Sequence, residues 1–166
     1  MKGSIDYKDF VKLQTQLEQA DMDIFCRKCS KELAARLLQK VKPRTPVGNY
    51  DNLMPGYERD TAGTLRRNWT GGKDMDPYTY AQSLPVKKQG ADYVITVKNP
   101  TEYASYVENG HRQTPGRYVP AIGKRLKASW VEGQHFLKIS EDEIKTLSPA
   151  LLEKRLEQKL REVLRD

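Results

Sequence analysis

The 166-residue chain has little of the material from which enzyme and metal sites are built. It contains only two histidines and two cysteines, and it lacks a glycine-rich phosphate loop, a GxSxG motif and an HExxH motif. Cys26 and Cys29 form a CxxC inside a strongly helical stretch, where only His111 and His135 could complete a zinc site. We therefore expect reduced structural cysteines, no metal, no cofactor, no catalytic residue and no enzymatic activity.

Long apolar runs are also absent. No segment approaches the roughly 20 apolar residues that a helix needs to cross a bilayer, and the first ten residues have no apolar signal core. We expect neither a membrane span nor secretion. With 37% hydrophobic and 31% charged residues, the chain can build one modest core, so we predict a single domain over residues 1–166.

The net charge of +7 is concentrated in the middle of the chain. Residues 42–138 hold 15 basic and 9 acidic groups, whereas residues 1–41 hold 8 and 6, and residues 139–166 hold 6 and 7. A basic centre between nearly balanced ends predicts a surface that faces phosphates or an acidic partner. Lysines scattered over a soluble surface would produce the same total.

Helical periodicity marks both ends of the chain. Apolar residues recur every three or four positions from 6 to 41 and predict a long helix, which should end at Lys42-Pro43 because proline disfavours a helical residue before it. A helix is also expected from Phe136 to Ile144, and Ser148-Pro149 should restart a final helix. The last helix carries a leucine stripe formed by Leu152, Leu156, Leu160, Val163 and Leu164. We expect this stripe to pack on the domain's own core, with a partner helix as the alternative.

The first part of the middle region combines a long loop with a short helix. Residues 42–60 are dense in Pro, Gly, Asn and Asp and predict the loop. Thr61 is expected to cap a helix that turns Leu65 and Trp69 inward and Arg66 and Arg67 outward. Paired arginines beside such a loop could contact phosphates, or they could be ordinary surface residues.

Strand patterns follow the short helix. Strands are expected near 79–88 and near 93–98, where β-branched residues lie on both faces of a two-residue period, and alternating apolar and polar residues predict a third strand from Leu126 to Val131. The fold class is therefore α+β, with a long N-terminal helix and C-terminal helices packed on a small antiparallel β-sheet of three to four strands. Within the single domain, residues 61–138 would be the α+β core and residues 139–166 the C-terminal helices.

The stretch 103–120 is predicted to join an aromatic helix to a basic loop. Asn99 should cap the helix, Tyr103, Tyr106 and Val107 should form its apolar face, and Gly110 should end it in a left-handed conformation. The following segment is turn-rich, and we expect it to be an irregular loop that carries three basic side chains, His111, Arg112 and Arg117.

Carboxylates for a metal-dependent nuclease are scarce. The basic centre offers only Asp74 and Asp76 with Glu58 and Asp60, and their surroundings indicate loop acids. A nuclease of this kind would need a divalent ion and would lose its activity when Asp74 or Asp76 is changed.

Several segments together resemble a known family. They are RTPVGN, TAGTLRRNW, VKNPTEYASYVENGHR, GRYVP and WVEGQHFLKISEDE, which lie within about residues 43–145. The resemblance is to small neck or tail-completion proteins of tailed bacteriophages, also found in contractile-tailed phages and defective prophages of Gram-positive bacteria. Its most specific part runs from Asn99 to Arg112. The connection AIGKRLKAS is longer than is usual in that family, which affects the register of the third strand.

The resemblance implies a structural role without catalysis. The subunit is expected to form a homo-oligomeric ring, with six as the expected number of subunits, at the head-proximal end of the tail, and to help join head and tail. Expected partners are head-closure proteins, tail-terminator or tail-tube proteins and DNA passing through the lumen. The expected location is the virion, after synthesis in the bacterial cytoplasm. A non-specific nucleic-acid-binding protein is the alternative. The residues expected to make assembly or DNA-facing contacts are Arg66, Arg67, Tyr103, Tyr106, His111, Arg112, Arg117, Lys124, Arg125 and Lys127.

Overall fold

Two long helices and a set of short strands make up the described part of the chain. The computed structural model describes residues 8, 11–12, 15, 22–48, 53–56, 62–72 and 75–163. The elements are α1 (Met22–Arg44), α2 (Thr64–Arg67), a 3₁₀ turn (Asn68–Thr70), α3 (Pro77–Ser83), β1 (Val86–Gln89), β2 (Asp92–Ile95), α4 (Ala104–Asn109), β3 (Gly110–Arg112), β4 (Tyr118–Val119), a 3₁₀ turn (Pro120–Ile122), β5 (Lys124–Arg125), β6 (Trp130–Glu132) and α5 (Phe136–Val163). The α+β class is confirmed.

Helix α1 extends two residues beyond its predicted end. It passes through Pro43 to Arg44, and the next residue closes the turn because the Thr45 amide donates to the Val41 carbonyl at 2.9 Å. Most of the predicted helix before residue 22, with its caps, lies outside the described residues, as do residues 49–52 and 57–60 of the predicted loop and the predicted cap Thr61. The helix α2 begins after Gly63 instead.

The core lies between α1, α5 and the short elements that follow α1. Its buried apolar residues are Ala34, Ala35, Leu38, Val41, Leu65, Trp69, Ala81 and Phe136. The small side chains of Ala35 and Ala81 fit where α3 packs closely on α1. Trp69 meets Phe136 edge to face, with ring centroids 6.3 Å apart, so the predicted inward positions of Leu65 and Trp69 are confirmed.

A helix occupies the first half of the segment predicted as the first strand. The Asp76 carboxylate accepts a hydrogen bond from the Thr79 amide at 2.9 Å, and Pro77 takes the first helical position. This N-terminal cap outweighs the modest strand propensity of the residues that follow. The strand β1 therefore starts only at Val86, and it pairs with β2 in a hairpin whose register places Val86 opposite Ile95.

The remaining strands form one long hairpin, residues 110–132, which we call the arm. Strand β3 pairs with β6, with His111 opposite Val131, and β4 pairs with β5, with Tyr118 opposite Arg125. Only Trp130 and Val131 of the predicted third strand lie in a strand, β6, whereas the predicted irregular loop contains the regular strand β3. Within the described residues, three two-stranded sheets replace the predicted single sheet.

One continuous helix stands where two C-terminal helices were predicted. Pro149 lies inside α5 and cannot donate to the carbonyl of Lys145, but the Ser148 hydroxyl donates to that carbonyl at 3.2 Å. Helix α5 is joined to α1 by Arg155, which donates to both oxygens of Glu32 at 2.8 and 3.0 Å. No helix within the described ranges is both long and apolar enough to cross a membrane.

The leucine stripe of α5 does not pack into the core, contrary to the prediction. Leu152 is 36% exposed and Leu156 is 40% exposed, whereas Phe136 and Ser140 near the start of the same helix are buried. The two long helices contact each other along a face that includes Ser140 and Arg155. The stripe therefore lies on a different side of α5 from the one that meets α1.

Candidate functional site

The RTP and LRRNW segments form a buried lock between α1 and α2. Thr45 is completely buried, and its hydroxyl donates to the Val41 carbonyl and accepts from the Trp69 indole, both at 2.7 Å. Arg66 closes the lock from outside, since its Nε and Nη2 donate to the Thr45 carbonyl at 2.9 and 2.7 Å. These two segments of the family resemblance therefore have a structural role in this chain.

The two α2 arginines differ from the outward pair that the sequence predicts. Both are half-buried, and Arg67 donates through Nη1 to the Ala62 carbonyl at 2.5 Å. Since both guanidinium groups are occupied by backbone carbonyls, Arg66 and Arg67 stabilise the fold around the loop. The other eight candidate residues lie between 103 and 127, on α4 and the arm.

The base of the arm is held by Glu108, which is not among the site residues that the sequence predicts. This buried carboxylate accepts hydrogen bonds from the Leu137 and Lys138 amides, each at 2.9 Å, at the start of α5. The amide of His135 also donates to the Glu108 carbonyl at 3.1 Å. Glu108 therefore caps α5 from the last turn of α4, and the available signal was its place in the YVENGH segment.

Two glycines let the arm pass close to the end of α4. Gly110 has φ +80° and ψ 173°, so its positive φ was predicted correctly but its conformation is extended and not left-handed helical. A side chain at Gly110 would overlap the backbone of Val131, and one at Gly133 would overlap the carbonyl of Glu108. The close approach of these segments brings Glu108 within reach of the α5 amides.

The aromatic helix turns its tyrosines outward and its small residues inward. Ala104 and Val107 pack against the core, whereas Tyr103 is 38% exposed and Tyr106 is 59% exposed. The Tyr106 ring meets the His111 ring edge to face at 5.7 Å. The prediction of an apolar face that contains both tyrosines was therefore wrong, because Tyr103 and Tyr106 lie on the exposed side together with the base of the arm.

The histidine beside Tyr106 is His111, and only one of its two ring nitrogens has a polar neighbour. Its Nε2 lies 3.4 Å from the side-chain nitrogen of Gln113. Its Nδ1 is buried and has no hydrogen-bond partner among the described residues. His111 thus packs as an aromatic residue against Tyr106 and is not positioned by a carboxylate.

The arm carries most of the candidate cations, and most of them are unpaired. Arg112, Arg117, Lys124 and Lys127 are exposed, and none of their side chains makes a hydrogen bond or an ion pair with the part of the chain that the structure describes. Arg125 is the exception: it donates to the Gly116 carbonyl at 2.7 Å and lies 6.0 Å from the centre of the Tyr118 ring. The arm thus presents four uncompensated charges.

No cation site accompanies these charges within the described ranges. Asp76 is occupied as the cap of α3, while Glu58, Asp60 and Asp74 lie outside the described residues. The described residues contain no cluster of three or more His, Cys, Asp or Glu that could hold a metal ion. Both cysteines are unbridged, and burial raises the pKa of the Cys29 thiol.

A protein-family model described as "Bacteriophage HK97-gp10, putative tail-component" matches residues 11–110, more than half of the chain. The chain belongs to the HK97-gp10-like family. This membership identifies it as a structural protein of a bacteriophage tail. The part matched to the HK97-gp10-like family includes the lock at Thr45 and ends at Gly110, where the arm begins. No curated protein and no solved structure matches the chain.

Proposed function

We propose that this HK97-gp10-like protein is a neck or tail-completion protein that acts without catalysis. It forms a homo-oligomeric ring, with six as the expected number of subunits, at the head-proximal end of the tail, and it helps to join head and tail in a phage or prophage. Its neighbours are head-closure proteins and tail-terminator or tail-tube proteins. It resides in the virion after synthesis in the host cytoplasm.

The supporting observation is that the chain leaves two unlike surfaces uncovered. One is the basic arm, and the other is the apolar stripe that includes Leu152 and Leu156 on α5. A subunit in a ring contacts its two neighbours through two different surfaces, and the stripe is an uncovered apolar surface available for one of these contacts. A protein that acts as a monomer has no need of an exposed leucine stripe.

The occupant that we assign to the stripe is an adjacent subunit. Acidic residues Glu153 and Glu157 lie on one side of the stripe in helical projection, and Lys159 lies on the other. In a ring, the contact between neighbouring subunits is heterologous, so the stripe would meet a different surface of the adjacent subunit and not the stripe of an equivalent α5.

The experiment compares particles made with and without the gene by electron microscopy. We expect filled heads separate from finished tails after deletion, and restored particles after complementation with the wild-type gene. The double variant Leu152→Glu/Leu156→Glu should fail to restore them and should be monomeric by light scattering. The matched control, Ala150→Glu/Lys154→Glu, places two glutamates on the same helix outside the stripe and should restore them.

The alternative is a nucleic-acid-binding protein that works as a monomer outside the virion. The unpaired cations of the arm also support this alternative. Normal joined particles after deletion would refute the neck function and favour this alternative. A monomeric wild-type protein that still restores joining would refute the ring alone.

A further inference from the structure

The arm is a two-stranded ribbon whose two ladders are joined by further hydrogen bonds on either side of a turn at residues 114–117. Between the two ladders, the Gln113 amide donates to the Ser129 carbonyl at 2.8 Å and the Gly116 amide donates to the Leu126 carbonyl at 2.9 Å. The Leu126 amide then donates to the Arg117 carbonyl at 2.9 Å. Leu126 therefore faces two residues of the opposite strand, which marks a bulge. Along the strand without the extra residue, from Glu132 to Lys124, eight steps of about 3.3 Å give the ribbon a length of at most about 26 Å.

The charge of the arm is positive along its length. Residues 110–132 contain five lysines or arginines and a single acid, Glu132, at the base. Several cations elsewhere in the described chain are compensated: Arg27, Arg36, Lys40, Arg44 and Arg155 each pair with a carboxylate. Four of the five arm cations have no such partner. Their charges are available to an external anion.

These charges lie on both faces of the ribbon. Lys124 and Arg125 are consecutive in β5, so their side chains leave opposite faces, and Lys127 lies an odd number of positions from Lys124. Arg112 stands opposite the exposed Trp130 near the base. A flat acidic patch on a protein could satisfy only one face of such a ribbon.

We propose that the arm binds duplex DNA without sequence specificity, by entering the major groove so that its two faces meet the phosphates of the two groove walls. A two-stranded β-ribbon has the width that this groove admits. Phosphates border the groove on both sides, and lysine and arginine contacts to them carry no sequence information. The inference rests on the proposed function in one respect only: a protein at the neck lies on the path of the DNA.

The test uses the purified full chain and a mixed-sequence duplex of about 30 base pairs labelled with a fluorophore. Anisotropy titrations at several salt concentrations measure the dependence of affinity on salt. Four phosphate contacts predict a slope of about −3.6 in log Kobs against log salt, or about a 150-fold loss of affinity between about 50 and about 200 mM. The variant Arg112→Ala/Arg117→Ala/Lys124→Ala/Lys127→Ala should bind far more weakly at low salt and lose most of this slope.

A matched control removes the same net charge from other surfaces. Lys28, Lys87, Lys98 and Lys154 are exposed, and their replacement by alanine should leave affinity and slope within about twofold of the wild type. Equal losses in both variants would overturn the proposal, because net charge alone would then explain binding. Absence of wild-type binding at low salt, or equally tight binding to polyglutamate, would also overturn it and would favour an acidic protein as the partner of the arm.

The two proposals fail in different measurements. Loss of DNA binding without any loss of head–tail joining would leave the proposed function intact and remove the DNA contact from it. If head–tail joining does not depend on the gene, the neck function is refuted, whatever the purified protein binds.

Discussion

The cap that Glu108 forms on α5 permits a quantitative prediction. Replacing Glu108 by alanine removes two hydrogen bonds of 2.9 Å to a carboxylate and leaves the Leu137 and Lys138 amides without their acceptor. The carboxylate is buried, so water replaces it poorly. We expect a loss of roughly 3 kcal/mol in the free energy of unfolding, from the worth of charged hydrogen bonds and of helix caps.

Urea and thermal unfolding followed by circular dichroism at the helix band measure this loss. For a chain of this size, roughly 3 kcal/mol corresponds to a fall of roughly 6 to 12 °C in Tm. Glu108→Gln keeps one acceptor oxygen and should lose about half as much. Hydrogen exchange at the Leu137 amide should speed up in the alanine variant.

The control for this experiment is Glu132→Ala, which removes an exposed carboxylate from the arm. It should change the free energy of unfolding by less than about 0.5 kcal/mol. If Glu108→Ala were equally mild, the capping role of Glu108 would be refuted and the start of α5 would have to be held by core packing alone.

Three further predictions concern the same scaffold. Gly110→Ala should destabilise the fold by more than about 3 kcal/mol or abolish folding, because the positive φ and a clash with backbone atoms act together. Gly116 has a similar φ but open space around it, so Gly116→Ala should lose about 1 kcal/mol of unfolding free energy, measured by urea unfolding. Thr45→Val should cost about 2 kcal/mol and alter Trp69 fluorescence, because a buried indole N–H loses its acceptor. Hydrogen bonds from Arg27 and Tyr93 hold the pKa of Asp23 at about 2. The pKa of Asp23 in the folded state lies below its unfolded value of about 3.9. The stability advantage of the wild type over Asp23→Asn should therefore be constant from neutral pH to about 4, and it should disappear as the pH falls to about 2. An advantage unchanged at pH 2 would contradict this.

Local patterns were sufficient for much of the helical scaffold. Helical spacing predicted α1 and the start of α5, and the inward positions of Leu65 and Trp69 followed from a short amphipathic segment. These predictions succeeded because the spacing of apolar residues and their burial are linked within one helix. The same reasoning failed at α3, where the cap made by Asp76 outweighed strand propensity.

Most of the candidate site required contacts between distant residues. The role of Arg66 depends on the carbonyl of Thr45, twenty-one positions earlier, and the role of Glu108 depends on amides that follow it by about thirty. No local pattern reports such pairs. The exposed arm cations are a clearer case, since the sequence marked them as basic but could not distinguish them from arginines that bind backbone carbonyls.

The sequence by itself determined the α+β class, the long first helix, the start of the last helix, the basic centre and the segments by which the family is recognised, because these properties depend on composition and short-range spacing. The tertiary structure alone decided that strands 110–132 form a self-paired arm, that the stripe at Leu152 lies away from the core, and that Arg66 is occupied while Arg112 is not. The physical reason is that backbone pairing, burial and charge compensation depend on which distant groups the fold brings together.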